Sequence, residues 1–150
     1  VSVARPETVH VAVLRYVGIV AKNLQETSKL TIFSEYGEAL QGLATFSHIV
    51  IFYWLHRRDT EDDRRILRVN PKRHPGAPEL GVFTTRSPVR PNPIAFEVCR
   101  LVKIEGCNLY VKESDAYEGT PIIDIKPYMP RADAVPNAQT PSWAAQGPKT

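Results

Sequence analysis

The side chains best suited to chemistry lie in one proline-rich loop, residues 81–95, which contains Arg86, Arg90 and Asn92. Its prolines, at positions 88, 91 and 93, fix their own φ angles and push each preceding residue toward extended backbone. The loop is therefore predicted to be stiff, and its arginines to have little freedom of direction. A stiff cationic loop is suited to holding an anionic or polar ligand.

Two further polar clusters follow apolar stretches of the chain. His56 and Arg57 come directly after residues 46–55, the most apolar run, and a third cluster spans residues 115–126. Side chains placed just beyond strand ends can meet at one rim of a barrel, so we expect the three clusters to converge.

Each cluster also has a purely structural interpretation. His56 can mark the point where a buried strand reaches water. Arg86 and Arg90 can bond loop carbonyls that the prolines leave without partners. Asp124 and Lys126 alternate with isoleucines and can form an ordinary solvated strand face.

Short strand-like segments account for most of the remaining sequence. The hydrophobic pattern predicts strands over residues 9–20, 30–33, 46–55, 81–85, 94–104, 109–112 and 121–128. The first of these, residues 9–20, can be one strand or two short ones. Residues 46–55 are expected to be buried on both faces, and residues 94–112 to form a hairpin. Residues 21–28 are predicted as a loop, 34–40 as a turn or one helical turn, and 56–78 as a charged loop without regular structure. The sequence thus predicts an all-β fold, a small barrel or sandwich of six or seven mostly antiparallel strands with long loops.

Length and composition fit one globular domain. The chain has 150 residues, of which 43% are hydrophobic and 23% charged. We expect the domain to span residues 1–135 and residues 136–150 to form a flexible tail. No apolar run reaches the roughly 18 residues of a membrane span, and no signal segment is visible, so a soluble cytoplasmic protein is expected. Cys99 and Cys107 are expected to stay reduced, although a bridge across the hairpin turn is conceivable, and no metal site is expected from four scattered histidines.

The basic residues are concentrated in residues 56–73. This segment has seven basic and four acidic side chains, an excess of three that equals the net charge of the whole chain, +3. Two interpretations remain open: a solvated loop with internal ion pairs, or a patch for the phosphate backbone of a nucleic acid.

Two long motifs resemble those of a known family. Residues 81–94, GVFTTRSPVRPNPI, and residues 118–128, EGTPIIDIKPY, are similar to the two signature segments of the TsaA-like, or TrmO, family. Residues 42–56 also resemble the central strand of that family. The similarity covers roughly residues 40–130.

The resemblance implies a small β-barrel methyltransferase that uses S-adenosylmethionine without a Rossmann fold. It implies action on tRNA, at the exocyclic nitrogen of threonylcarbamoyladenosine beside the anticodon, and a homodimer with the cofactor near the interface. Carried over by position, the implied cofactor contacts are His56, Arg57, Arg86, Phe96, Asp115, Ala116, Tyr117 and Glu118. Gln25 can stand in for the glutamine of the family's cofactor loop, although residues 20–27 lack that loop's proline.

Transfer of a methyl group to an amide-like nitrogen is helped by a base or a hydrogen-bond acceptor. Our hypothesis assigns this catalytic role to Asp124 or Tyr128, and the holding of RNA phosphates to Arg58, Arg90 and Lys126. Two alternatives stay open: a regulatory module that binds S-adenosylmethionine or a nucleotide without methyl transfer, and a methyltransferase for another RNA or small substrate.

Overall fold

Six antiparallel strands close into a barrel in the computed structural model, which describes residues 10–24, 26–145 and 147. The barrel order is β1-β2-β7-β6-β3-β8, and β4 and β5 form a separate two-stranded sheet. The strands are β1 Gly18–Leu24, β2 Thr27–Ile32, β3 His48–Trp54, β4 Arg68–Val69, β5 Leu80–Gly81, β6 Ile94–Glu105, β7 Asn108–Lys112 and β8 Pro121–Pro127. The all-β barrel prediction is confirmed.

Helical structure in the described residues is limited to short turns. The α-helical turns are α1, Glu61–Arg64, and α2, Pro130–Asp133. Short 3-10 turns cover Ser34–Leu40, Leu43–Thr45, His56–Arg58, Val82–Thr84 and Ser142–Ala144. In the part of the chain that the structure describes, none of the helices could span a bilayer.

The barrel interior is filled by alternate side chains of its strands. Leu30, Ile49, Ile51, Leu109 and Ile122 have no exposed surface. Strands of period two place every second residue inward, so closing the barrel buries one face of each strand and leaves the other outside. The core therefore follows directly from the alternation of apolar residues.

The first strand is displaced from its predicted position. Residues 10–17 are not in a strand, residue 9 lies outside the described part, and β1 runs on to Leu24 through residues predicted as a loop. Val11 is 84% exposed, so its apolar side chain is not buried in the core. Lys22 and Asn23 are tolerated in β1 because both are exposed, and the Asn23 side chain bonds the Ala116 carbonyl. Likewise, β2 begins at Thr27, three residues before its predicted start.

Burial of β3 on both faces was a wrong prediction. Its residues alternate between buried and half-buried, with Ile49, Ile51 and Tyr53 inside the barrel. Val50 and Phe52 lie on the outer face beside β6 and β8. A barrel strand has only one interior face, so continuous hydrophobicity here leaves an apolar outer surface.

The charged segment 56–78 contains regular structure that the sequence analysis did not predict. The Thr60 hydroxyl accepts a hydrogen bond from the Asp63 amide at 3.1 Å and caps α1, whose first turn is acidic. Downstream, β4 pairs with β5, and the expected strand 81–85 is a 3-10 turn after Gly81. Local capping and a short pairing therefore order a segment that is rich in turn residues.

The later strands agree closely with the sequence. The hairpin of β6 and β7 and the extended segment of β8 are confirmed. Both cysteines are free. Within the predicted tail, the Trp143 ring contacts the His74 ring edge-on, with centroids 5.4 Å apart. The flexibility of residues 136–150 stays a prediction.

Candidate functional site at one end of the barrel

Three of the predicted polar segments meet at one end of the barrel. We call this end, where β1, β3 and β7 finish and β6 and β8 begin, the upper rim. His56 and Arg57 follow β3, the loop 82–93 leads into β6, and residues 113–120 join β7 to β8. Because neighbouring strands are antiparallel, all three connections lie at the same end. The Leu55 amide donates to the Pro93 carbonyl at 2.8 Å and ties two of them together.

A carboxylate inside the barrel holds the turn 114–118. Glu97, on the inner face of β6, accepts a hydrogen bond from the Tyr53 hydroxyl at 2.6 Å and another from the Ser114 hydroxyl. Its second oxygen accepts from the Asp115 amide at 3.2 Å. We call these four groups the Glu97 clamp. The clamp fixes the start of the turn to the barrel wall.

The interior near this clamp favours neutral side chains. Burial, and then the charge of Glu97 and its hydrogen bond, raise the pKa of the Tyr53 phenol far above its usual range. Burial, followed by the charge of Glu97, also raises the pKa of the Cys99 thiol. The Tyr53 hydroxyl is thus a proton donor to Glu97, and the fully buried Cys99 thiol belongs to the core.

The other end of the same turn is fixed to β1. The Asn23 amide donates to Glu118 Oε1 at 3.0 Å, and the Asn23 side chain donates to the Ala116 carbonyl at 3.2 Å. Between them Tyr117 is 73% exposed. Arg73 reaches from the charged segment to Asp115, with Nη1 and Oδ2 3.8 Å apart. The turn is thus a fixed backbone that presents carboxylates and an exposed ring.

Arg86 and Phe96 are adjacent on the outer side of the rim. The Arg86 guanidinium lies 4.8 Å from the centroid of the Phe96 ring, and Phe96 is 46% exposed. The Phe96 and Phe52 rings are 6.1 Å apart on neighbouring strands. An arginine beside an open aromatic surface can bind a carboxylate together with a flat ring.

Arg90 is used inside its own loop. Its Nη1 donates to the carbonyls of Thr85 and Ser87 at 3.1 and 3.0 Å. These are carbonyls of the proline-rich loop, as the structural interpretation of this arginine expects. The bonds help to fix the direction of the loop that carries Arg86.

Most cations of residues 56–73 are paired with acids. Arg58 lies 3.8 Å from Asp63, Arg64 lies 2.7 Å from Asp59, and Arg65 pairs with Glu61. The hydrogen bond from Arg64 lowers the pKa of Asp59. Arg68 pairs with Glu79 at 3.3 Å, and Arg73 with Asp115. The solvated-loop interpretation therefore describes most of this segment.

Asp124, Lys126 and Tyr128 lie away from the upper rim. Asp124 and Lys126 point outward from β8 and are 3.4 Å apart in an ion pair. Asp124 also borders a pocket toward the opposite end of the barrel, with Tyr36, Leu43 and Phe46. Tyr128 follows β8 and lines a second depression beside Ser47. Convergence thus holds for residues 115–118 and not for Asp124, Lys126 and Tyr128.

Asp124 is nevertheless related to the rim residue Phe96 through the register of the strands. In the strand register Asp124 lies opposite Phe52, which lies opposite Phe96. Strands are about 4.8 Å apart, so the Asp124 and Phe96 backbones are separated by roughly 10 Å across the outer surface.

Sequence reasoning missed Glu97 and Asn23, which hold the turn 114–118. The signal for Glu97 was a lone carboxylate at an inward position of the alternating segment IAFEVC. Asn23 gave no signal because it lay in a predicted loop. Gln25, the remaining cofactor candidate, lies outside the described residues. Among the described residues, no three His, Cys, Asp or Glu side chains are grouped to hold a metal ion.

Comparisons with known proteins agree on one family. Residues 5–134 match the family described as the tRNA-methyltransferase O N-terminal domain. A probable S-adenosyl-L-methionine-binding protein of Methanocaldococcus jannaschii is 40% identical over 80% of this chain and 94% of its own length. An S-adenosyl-L-methionine-binding protein of Archaeoglobus fulgidus is 42% identical over 72% of this chain and 73% of its own length.

Solved structures give the same result for the fold. The crystal structure of TrmO from Pseudomonas aeruginosa matches with a TM-score of 0.72 and 28% identity, over 93% of this chain and 65% of that one. Another TrmO crystal structure gives a TM-score of 0.70 and 30% identity, over 87% of this chain and 64% of that one. The chain thus spans slightly less than two thirds of these structures.

Proposed function

The chain belongs to the family of the tRNA-methyltransferase O N-terminal domain, and on this premise we propose that it is an S-adenosylmethionine-dependent tRNA methyltransferase. The proposed acceptor is the exocyclic nitrogen of threonylcarbamoyladenosine beside the anticodon. The observation that supports this proposal most strongly is the position of the turn 114–118. It is held at the upper rim, where His56, Arg57 and the loop that contains Arg86 also lie.

The residues at the rim suit the cofactor's functional groups. A guanidinium such as that of Arg86 pairs with the methionine carboxylate, and the carboxylates of Asp115 and Glu118 suit the ammonium group and ribose hydroxyls. The exposed Phe96 ring and the backbone of residues 115–118 suit an adenine ring. When bound, the cofactor supplies an electrophilic methyl group on a sulfonium.

The protein's own part in the reaction is mainly orientation. The Glu97 clamp and Asn23 keep the turn from moving, and the bonds of Arg90 keep the arginine loop in place. Methyl transfer needs in-line approach of the acceptor nitrogen, and fixed surroundings supply that geometry. Of the two candidate bases, Asp124 is nearer to Phe96 in the strand register, and we propose that it accepts the proton or hydrogen bond of that nitrogen. Tyr128 lies beside His48 at the other end of the barrel and is less suited to this role.

A homodimer is proposed because the outer face of β3 and β6, which includes Phe96, is apolar. Ile94, Phe96 and Val98 are 40%, 46% and 39% exposed, and they lie opposite Trp54, Phe52 and Val50. Contiguous exposed apolar patches of this kind mark interaction sites. A second copy on this face would lie next to Arg86 and Phe96, near the proposed cofactor site.

The function is tested with labelled S-adenosylmethionine and total tRNA, prepared with and without the threonylcarbamoyl modification. We expect label to enter only the modified tRNA. Label in both preparations would indicate another RNA target, and cofactor binding without any transfer would indicate a regulatory module.

Asp124→Asn tests the proposed base. We expect this variant to bind cofactor normally but to turn over more slowly, whereas the control Asp62→Asn on α1 should keep both binding and turnover. Full turnover of Asp124→Asn would exclude Asp124 as the base.

A further inference from the structure

Five cations lie on the outer surface of the four strands β1, β2, β7 and β6. We call this surface the basic face; its residues are Lys22, Lys29, Arg100, Lys103 and Lys112, around Tyr110. Lys29, Arg100 and Lys112 point outward, since the residues next to them in their strands are buried in the barrel. Lys22 and Lys103 lie at β-bulges, and their exposure shows that they also point outward. None of these residues was predicted as part of a site.

The strand register places like charges directly opposite each other. Lys22 lies opposite Lys29, and Arg100 lies opposite Lys112. Like charges directly opposite each other destabilise a sheet. Stability alone therefore does not account for this arrangement, whereas binding of an anion does.

Acidic residues are almost absent from the strands of this face, and the exposed acids Glu26 and Glu113 lie in the connections at its upper end. The four strands contain two acids, and Glu97 points into the barrel, which leaves Glu105 alone on the outside. Five cations against one acid give this face a charge of +4, more than the whole chain's +3. The rest of the chain is thus slightly acidic.

The segment 56–73 makes a clear contrast. Its seven cations face four acids of its own and two more, Glu79 and Asp115, that pair with Arg68 and Arg73. Its net charge with those partners is only +1. Arg58 and Lys126, two of the cations assigned to RNA from the sequence, are likewise ion-paired.

An aromatic ring lies among the cations of the basic face. The Lys103 ammonium is 4.7 Å from the centroid of the half-buried Tyr110 ring and 2.9 Å from Glu105. The face also reaches the candidate site. Lys112 immediately precedes the connection 113–120, and Lys22 precedes Asn23, which holds Glu118 and Ala116. The basic face is therefore continuous in the chain with the upper rim.

We propose that the basic face binds the phosphate backbone of RNA and guides it to the upper rim. The proposal rests on the proposed function in that the RNA is the methyl acceptor. A cationic surface with an aromatic ring is typical of RNA-binding proteins, and its cations release counterions from the phosphates on binding.

The test compares two triple variants in binding fluorescent unfractionated tRNA at 50 to 300 mM KCl. The first is Lys22→Gln/Lys29→Gln/Lys112→Gln on the basic face. The matched control is Arg64→Gln/Arg65→Gln/Arg68→Gln, which removes three cations that are ion-paired. We expect the slope of log affinity against log salt to fall by about 2 to 3 in the first variant, since each phosphate contact contributes about 0.7 to 0.9. We expect little change in the control.

Stability distinguishes binding from a structural role. Removing like-charge pairs is expected to leave the melting temperature of the basic-face variant unchanged or raised while RNA binding falls. An unchanged salt slope would overturn the proposal. So would equal affinity for poly-glutamate, which would indicate an acidic protein partner.

The same proteins separate this proposal from the proposed function. If the parent binds tRNA through the basic face but transfers no label, the methyltransferase proposal fails and the RNA surface stands. If the parent methylates tRNA and the basic-face variant keeps both slope and rate, the RNA surface is wrong and the methyltransferase proposal stands.

Discussion

Glu97 is a half-buried carboxylate that fixes the turn 114–118 to the barrel wall. It lies among apolar inward residues of β6 and would be costly to bury alone. The Tyr53 and Ser114 hydroxyls and the Asp115 amide satisfy its two oxygens. A charged acceptor with three donors is a strong and directional link, so the turn it holds is fixed in position. Glu97 is thus a positioning residue for the proposed cofactor turn.

Replacement of Glu97 tests this role. Glu97→Ala removes the acceptor of the buried Tyr53 hydroxyl, of the half-buried Ser114 hydroxyl and of the Asp115 amide, so we expect a loss of about 1–3 kcal/mol in the free energy of unfolding. We also expect cofactor affinity to fall roughly ten-fold or more, because the cofactor must then order a turn that the parent holds in place. A cost of about 1.4 kcal/mol for ordering the turn lowers the affinity ten-fold. Urea unfolding and titration calorimetry measure the two effects.

Glu97→Gln keeps one acceptor oxygen and should lie between Glu97→Ala and the parent in both measurements. Glu113→Gln, next to the clamp but outside it, is the matched control and should change neither. A destabilised Glu97→Ala protein that binds cofactor like the parent would leave Glu97 with a structural role only.

At the scale of the element, the proline-rich loop 82–93 combines two different arginines. Proline fixes its backbone locally, and that much is readable from the sequence. The sequence did not decide what each arginine does, because side-chain direction depends on neighbouring elements. Arg90 bonds carbonyls of its own loop, while Arg86 lies against Phe96 of β6.

The two arginines are expected to respond differently to the same change. Arg90→Gln removes two bonds from a half-buried position, and we expect the free energy of unfolding to fall by about 1–2 kcal/mol. The salt dependence of tRNA binding should stay the same, because this guanidinium is directed into the loop. Arg86→Gln should weaken cofactor binding with a smaller effect on stability. A reduced salt slope for Arg90→Gln, with normal stability, would restore this residue to the RNA surface.

At the scale of the whole molecule, the barrel presents two contrasting outer faces. The face of β3 and β6 near Phe96 is apolar, and the face around Tyr110 is basic. In the closed barrel β2 and β7 lie opposite β3 and β8, so the two faces point mainly in different directions. The faces meet on β6, where Val98 and Arg100 both point outward, so a second copy on the apolar face leaves the cations of β1, β2 and β7 open to RNA.

The apolar face is tested by a single charge. Val98→Asp places a carboxylate in the proposed interface, and we expect the dimer to dissociate into monomers, because a buried unpaired charge is costly. Leu24→Asp, an exposed apolar residue at the end of β1, is the matched control and should leave the oligomer intact. Sedimentation velocity gives both masses. A parent that is monomeric at all concentrations would contradict the proposed dimer.

The sequence by itself determined the all-β class, the β6–β7 hairpin, β8 and the stiffness of the arginine loop. These features depend on alternation, turn residues and proline, which act over a few neighbouring positions. Two of its errors have the same cause: β1 was displaced and β3 was expected to be buried on both sides. In both cases the partner strands, and not local preference, decided the outcome.

Only the tertiary structure decided which polar groups meet. Closure of the barrel brought residues 56–57, 86 and 115–118 to one rim and placed Asp124 and Tyr128 away from it. It turned Glu97 inward as a clamp, paired most cations of residues 56–73 with acids, and aligned five cations from four separate strands on one face. The physical reason is that charge pairing and side-chain direction depend on register between strands distant in sequence, which a single sequence does not contain.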